Sequence, residues 1–379
     1  MLEPLGLRRL EAIQYYVRDL QRSRRFYTGM LDFAETWRTS PKAENGASAE
    51  SACFSAGDIQ VVCTTPIGTR GRATRFLSKH PDGVGALIFE VEDIDKAFAR
   101  VEERGGTPID DIQQFETDRG TLRTFSVTTP FSDCLFRFRQ HSGNAALFAD
   151  AVPVAAGASN RFGFQTIDHV TSNFQTMKPV LLWLEHVMGF EKMWEIQFHT
   201  SDVAPDRHLG SGLKSVVMWD PRSQIKFACN EPARPHFRNS QIHLFNEELR
   251  GDGVQHVALS VTDLIAAVRS LRSAGVSFMP TPDAYYALLP DRLVHSGLMR
   301  IDEDIAVLRE LGVLVDGERL GEYLLQIFLK ESAGYYGDSS AGPFFYELIQ
   351  RKGDQGFGAG NFRALFESIE REQRGRGST

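Results

Sequence analysis

The sequence predicts an α+β fold of two tandem halves, each a mainly antiparallel sheet curled around a cavity. Three observations carry this. The stretches Val84–Ile94 and Val254–Leu264 share one pattern, an alternating strand running into an Asp-led helix. Ala12–Phe33 parallels His169–Phe190 over the same length, both ending in a short Gly-containing turn. The paired patterns recur in the same order, so the chain is one design given twice.

Taken in order, each half reads as short strands, one helix and more strands, and then the unit repeats. Asp93 and Asp263 stand where a helix needs a side-chain acceptor, and Gly105 and Gly275 where it needs a stop. Ala151–Asn160 is small and turn-rich, which places the boundary between a half spanning 1–150 and one spanning 151–379. Ser240–Leu244 could be a strand, and Tyr323–Phe328 and Phe344–Gln350 read as strands. Gly356–Asn361 is not GxGxxG and no Lys-Ser/Thr follows, so a flexible hinge is expected rather than a phosphate loop. From Asn361 to about Arg371 the pattern is helical, with Phe362, Leu365, Phe366 and Ile369 on one face.

With 379 residues, 42% hydrophobic and 24% charged, the chain can build sizeable cores and is not a disordered composition. A formal net charge of -7 with no basic stripe argues against nucleic acid as a partner. The four cysteines form no CxxC pair and read as buried thiols in a reducing compartment. Met1–Leu10 has no apolar signal core, and no apolar run is long enough to cross a bilayer, so a cytoplasmic, membrane-free protein is expected.

The chemistry concentrates in three residues. Glu347 lies in an otherwise apolar, aromatic strand, where an unpaired carboxylate is costly and needs a proton or a cation. His169 and His256 occupy early strands of the second half, and the repeat replaces them by Ala12 and Ala86, with Arg137 opposite Glu347. Two histidines and one carboxylate on one face make the facial triad of a non-haem Fe(II) oxygenase. A lone strand histidine is more often a hydrogen-bonded core residue, but the repeat logic singles these out. Any metal therefore belongs to the second half. Gln326 and Phe328 share a strand face, either lining an apolar cavity or leaving Gln326 at a wet edge. His243 is the competing ligand, His186 reads as helical, and His80, His141, His199, His208, His236 and His295 read as solvated. No Ser-His-Asp or reactive Cys arrangement is found.

The strings Gly253–Ala258, Asn230–Pro232, Ser240–Ile242, Leu324–Phe328 and Glu347–Phe362 make the sequence resemble the 4-hydroxyphenylpyruvate dioxygenase family, strongly over about 160–371 and co-linearly before that. The resemblance implies a vicinal-oxygen-chelate fold of paired βαβββ modules, with Fe(II) held by His169, His256 and Glu347. It implies that Ser215, Asn230 and Gln241 surround the ring hydroxyl of an arylpyruvate substrate. Gln255 and Gln326 would support the ligands and the keto acid. Phe328, Phe345, Phe357 and Phe362 would form aromatic walls, with Asn361 and Leu365 also at the pocket, and the helix after Asn361 would be a gate. The implied reaction consumes dioxygen, with homogentisate and carbon dioxide as products of tyrosine catabolism, in a homo-oligomer. Two features depart from the family pattern: Ala228 stands where proline is usual, and the loop Lys330–Pro343 is longer. Both are expected to flank the pocket.

Three other activities are open. A 4-hydroxymandelate synthase would hydroxylate the side-chain carbon instead, or a related enzyme would take a modified arylpyruvate. A non-redox isomerase or binding protein of the superfamily would consume no dioxygen.

Overall fold

The computed structural model describes residues 3–39, 48–154, 157–199, 212–233, 240–298, 300–358 and 360–361. The first half supplies β1 Leu7–Tyr16, β2 Ala34–Thr39, β3 Ala49–Ala56, β4 Ile59–Pro66, β5 Gly83–Val91, β6 Thr107–Pro108, β7 Gln113–Thr117, β8 Gly120–Thr128, β9 Leu135–His141 and β10 Ala151–Pro153. The second supplies β11 Phe164–Asn173, β12 Glu191–His199, β13 Gly212–Trp219, β14 Lys226–Pro232, β15 Gly253–Val261, β16 Leu314–Arg319, β17 Glu322–Phe328 and β18 Phe345–Lys352. Between them run α1 Leu20–Arg24, α2 Arg72–Lys79, α3 Ile94–Glu103, α4 Lys178–His186, α5 Gln241–Leu249, α6 Leu264–Ser273, α7 Asp283–His295, α8 Ile305–Leu311 and α9 Ser332–Tyr336.

Two sheets form with the same topology. The first runs β10-β2-β3-β4-β1-β5-β9-β8-β6 with β7 on β8, and the second β12-β13-β14-β11-β15-β18-β17-β16. In both, the first strands of the two modules pair antiparallel, β1 with β5 and β11 with β15. Each of these strands also pairs in parallel with the last strand of a module: β1 with β4, β5 with β9, β11 with β14 and β15 with β18. This is the expected α+β plan of βαβββ modules. The residues Ala151–Pro153 just after the proposed boundary add an edge strand to the first sheet, Ala151 opposite Thr39.

Identical local devices build both halves. Asp93 accepts from Lys96 N at 3.1 Å and Asp263 from Ala266 N at 3.0 Å, satisfying amides that a helix start leaves open. Gln140 Oε1 accepts from Ile94 N at 3.3 Å, and Gln350 Oε1 from Leu264 N at 2.9 Å. The other ends of these glutamines donate to Glu92 O and Thr262 O. Each glutamine thus ties the last strand of a module to the helix that follows its first strand.

The two halves share one hydrophobic core, in which Phe136 stacks on Phe227 at 5.6 Å between ring centroids. The loop Lys330–Pro343 does not flank the cavity described below. It carries α9 and straps the second half to the first: Arg22 binds Asp338 at 2.8 Å and lies over the Tyr336 ring, and Asp82 N donates to Ser340 O at 2.9 Å.

Three other expectations change. Ser240–Leu244 is not a strand, because Ser240 caps α5, accepting from Ile242 N, and Ile242, Phe245 and Leu249 bury one helical face. His80 is not solvated; it is buried between Leu249 O and Asp133 Oδ2, each at 2.9 Å. His141 is half-buried, 3.8 Å from Glu90. His186 ends α4 as expected, and His295 is exposed. His208 and His236 lie outside the described residues. All four cysteines are buried and unpaired, which pushes their thiols up. Among the described residues no helix is long and apolar enough to cross a membrane.

Candidate metal centre

Cross-strand register assembles the site. His169 on β11 lies opposite Ala258 on β15, and Ala258 lies opposite Glu347 on β18. His256 sits two residues before Ala258, so all three polar groups share one face. Ala258 is the small residue between them, fully buried. Glu347 Oε2 stands 3.4 Å from His169 Nε2 and 3.3 Å from His256 Nε2. All three side chains are buried.

Two β-bulges aim the histidines. The β11–β15 register slips once at Asp168 and once at Gln255, so each is the extra residue of a bulge immediately before a histidine. A regular strand would turn these neighbours to the opposite face. Here Asp168 Oδ1 accepts from His169 Nδ1 at 2.9 Å, and Gln255 Oε1 from His256 Nδ1 at 3.1 Å. Both acceptors are oxygens, so each Nδ1 carries a proton, and Nε2, which faces Glu347, is the nitrogen left to bind a metal. Asp168 is itself gripped by Arg351, Nε and Nη2 each donating at 2.7 Å.

The electrostatics follow from this packing. Burial pushes the Glu347 carboxyl up, but the two histidines outweigh it and hold it down at about 2. Burial likewise opposes charge on Asp168, yet the Arg351 fork and His169 hold its carboxyl well below the usual range. His169 is lowered by burial but raised overall by Glu347 and Asp168. Burial dominates at His256 and lowers it.

The donor set fits a metal ion. Its atoms all lie within 4.8 Å of one another. Donors sharing one octahedral ion at bonds of about 2.1 Å stand roughly 3 Å apart, close to the two distances above. His256 Nε2 is buried without a hydrogen-bond partner, as a ligating nitrogen would be.

A cavity of about 110 Å³ opens beside His256, with Phe328, Phe345, Gln255 and Gln326 in its walls. Phe345 stacks on the His256 ring at 4.9 Å, and Phe328 meets it edge-on at 5.8 Å. Two residues along the strands, roughly 7 Å away, runs a polar row of Ser215, Asn230 and Asn173 in register across β13, β14 and β11. Asn230 Nδ2 donates to Asn173 Oδ1 at 3.2 Å. Asn230, Asn173, Ser240 and Gln241 line the cavity; Ser215 is buried beside Asn230 rather than in the lining.

Gln326 is inside, not at a wet edge. It is 2% exposed, on a strand paired on both sides, and its Oε1 has no partner. Gly358, at φ +68°, allows this, since a Cβ there would lie 2.2 Å from Gln326 Oε1. Within the expected hinge Gly356–Asn361, Phe357, Gly358 and Asn361 are buried, while Gly356 is exposed. Phe357 packs on the other histidine, 4.8 Å from the His169 ring, in a cluster with Ala228 and Val217. Asn361 is buried at the cavity edge, its Oδ1 accepting from Tyr285 and Arg292. Phe362 and Leu365, with the expected gate, lie outside the described residues. His243 is in α5, 3.0 Å from Gln175, and does not join the triad.

Asp168, Arg351, Asn173 and Ser240 are the site residues the sequence reading missed. Asp168 adjoins a chosen ligand, and an acid beside a strand histidine was an available signal.

The model of the Glyoxalase/Bleomycin resistance protein/Dioxygenase superfamily matches residues 9–145 and 166–288. A 4-hydroxyphenylpyruvate dioxygenase of Dictyostelium discoideum is 33% identical over 330 residues, 85% of this chain and 86% of that protein. The Sus scrofa 4-hydroxyphenylpyruvate dioxygenase is 36% identical over 330 residues, 80% of this chain and 75% of that one. Among solved structures, a triple mutant of 4-hydroxymandelate synthase from Streptomyces coelicolor shares the fold, with TM-score 0.78 and 24% identity over 97% of this chain and 99% of that one. By sequence match, coverage and duplicated architecture, the chain belongs to the 4-hydroxyphenylpyruvate dioxygenase family of the glyoxalase/bleomycin resistance protein/dioxygenase superfamily.

Proposed function

We propose that this chain converts 4-hydroxyphenylpyruvate and dioxygen to homogentisate and carbon dioxide, with Fe(II) held by His169, His256 and Glu347. One observation carries the reading: a single cross-strand face presents two imidazoles and a carboxylate beside a cavity with aromatic sides and a polar far row. Iron in such a triad keeps positions open for a 2-oxo acid and activates dioxygen.

The chain's own residues do the rest. Asp168 and Gln255 fix the histidine tautomers, and the Arg351 fork fixes Asp168. Gln326, buried with a free acceptor and with amide hydrogens to donate, holds the oxo-acid end. Asn230, Gln241 and, behind them, Ser215 hold the phenol hydroxyl. Phe328 and Phe345, which meet edge to face at 6.0 Å, form one aromatic wall for the ring and exclude water. In the overall reaction the carboxyl carbon leaves as carbon dioxide. One oxygen atom enters the new carboxylate. The other enters the ring carbon that bore the side chain, and the side chain moves to its neighbour.

The names of the relatives favour ring attack over mandelate formation. Incubation of the purified, Fe(II)-loaded protein with 4-hydroxyphenylpyruvate tests this. Homogentisate should form in equal amount to the carbon dioxide released and the dioxygen consumed. Mandelate as the main product, or turnover without dioxygen uptake, would overturn the assignment.

A further inference from the structure

We propose that the first half retains the matching cavity as a binding site of opposite sign, for a small aromatic carboxylate. Register fixes the correspondence residue by residue. The row His169–Ala258–Glu347 of the second sheet becomes Ala12–Ile88–Arg137 in the first. The polar row Ser215–Asn230–Asn173 becomes Ser51–Thr64–Tyr16. The bulges are retained too, with Glu11 and Gly85 as their extra residues. Gly85 replaces Gln255, and the Tyr16 ring fills that space: a Cβ on Gly85 would lie 2.1 Å from it. The acidic ligand is thus replaced by a guanidinium, while the two hydroxyl-bearing wall positions remain polar.

A cavity of about 290 Å³ opens on this face, with Gln14, Tyr16, Ser51, Thr64, Arg70 and Arg72 in its walls. Arg137 lies behind Gln14 and Phe148 and starts a chain of hydrogen bonds toward the cavity. Its Nη1 donates to Gln14 Oε1 at 3.4 Å, and Gln14 Nε2 donates to Thr64 Oγ1 at 2.9 Å. Ser51 Oγ stands 2.8 Å from Thr64 Oγ1. A guanidinium only donates, so Gln14 Oε1 accepts and its Nε2 donates on to Thr64; Thr64 can then donate to Ser51, an arrangement in which the Ser51 hydroxyl donates to a ligand in the cavity. Gln14, Ser51 and Thr64 are all at least nine-tenths buried, so this is interior structure rather than a wet surface.

Among the described residues the positive charge has no salt-bridge partner: neither Arg72 nor Arg137 forms an ion pair, and Arg72 Nε is buried without a partner. Burial lowers Arg137, Tyr16 and Asp110 oppose that, and Arg72 adds to it. Asp150 sits exposed at the rim. The start of α2 faces the same cavity with no side-chain cap, adding its positive end. One hydroxyl donor and one guanidinium fork match the two oxygens of a carboxylate. Tyr16 and Phe148 supply aromatic surface for an attached ring.

The test is equilibrium dialysis of labelled 4-hydroxyphenylacetate against the full chain, wild type and variants. Arg72→Met and Arg137→Met should each weaken one site at least tenfold while leaving turnover unchanged. Glu347→Ala, which disables the other site, should leave this affinity within twofold. Arg72 is half-exposed, so Arg72→Met decides the matter if Arg137→Met fails to fold. Loss of this binding in Glu347→Ala, or unchanged binding in Arg72→Met, overturns the proposal. Full competition by equimolar inorganic phosphate overturns the carboxylate assignment.

Discussion

Asp168 and Arg351 are joined by two parallel hydrogen bonds of 2.7 Å, from strands that do not pair with each other. The pair reaches across β15, from the bulge on β11 to the end of β18. It locks the carboxylate that locks His169.

Arg351→Met should therefore loosen the metal without touching it. Losing an outer partner of a ligating histidine typically costs about 10–100-fold in metal affinity. Leaving Asp168 buried with one partner fewer should cost about 3–5 kcal/mol of stability. Iron titration and chemical denaturation measure the two effects. Wild-type iron affinity in a folded Arg351→Met protein would remove Asp168 from the positioning role.

Glu347→Ala should abolish stoichiometric iron binding and turnover together. Two histidines remain, but the negative charge between them is gone. Metal analysis after gel filtration reads this directly, and a variant retaining full iron would show that Glu347 is not a ligand.

Acid should destabilise the metal-free protein through Glu347 and Asp168. Both are depressed in the folded state, so their contribution is present above the unfolded carboxylate values near 4 and is lost as pH falls toward the folded ones. For Glu347, held at about 2, this is about 3 kcal/mol. His169 is raised and acts the other way: its contribution is full below about 6.5 and fades as pH rises. Melting temperature should thus fall steeply below about pH 5, and less steeply in Glu347→Gln. Equal slopes in the two proteins would contradict the coupling.

Gly358→Ala should displace Gln326. The new Cβ would meet its Oε1 at 2.2 Å, on a backbone with φ +68° that alanine disfavours. KM for the oxo acid should rise about tenfold, a loss of about 1.4 kcal/mol of binding, with iron content unchanged. Steady-state kinetics beside metal analysis checks the split; an unchanged KM would take Gln326 out of substrate binding.

Much of this was legible in the sequence, for identifiable reasons. The triad emerged because the repeat compares His169 with Ala12, His256 with Ala86 and Glu347 with Arg137 at fixed positions. Asp93 and Asp263 cap their helices as their spacing demands. Asp168 was missed because period-two alternation turns it away from His169, and only a register slip brings it back. His243 was read on a strand although Ile242, Phe245 and Leu249 already had helical spacing. His80 looked solvated because its partners, Leu249 O and Asp133, are remote in sequence.

The duplicated bulges have a consequence for how an ion bound by the triad would be handled. The first sheet holds the same two kinks at Glu11 and Gly85 with Ala12 and Ala86 in place of the two histidines, so the shape does not depend on that triad. The second sheet then offers a mould already set before loading. Iron would be a passenger that can be withdrawn and returned without unfolding the barrel, unlike the clasp of a domain that collapses when its metal is removed.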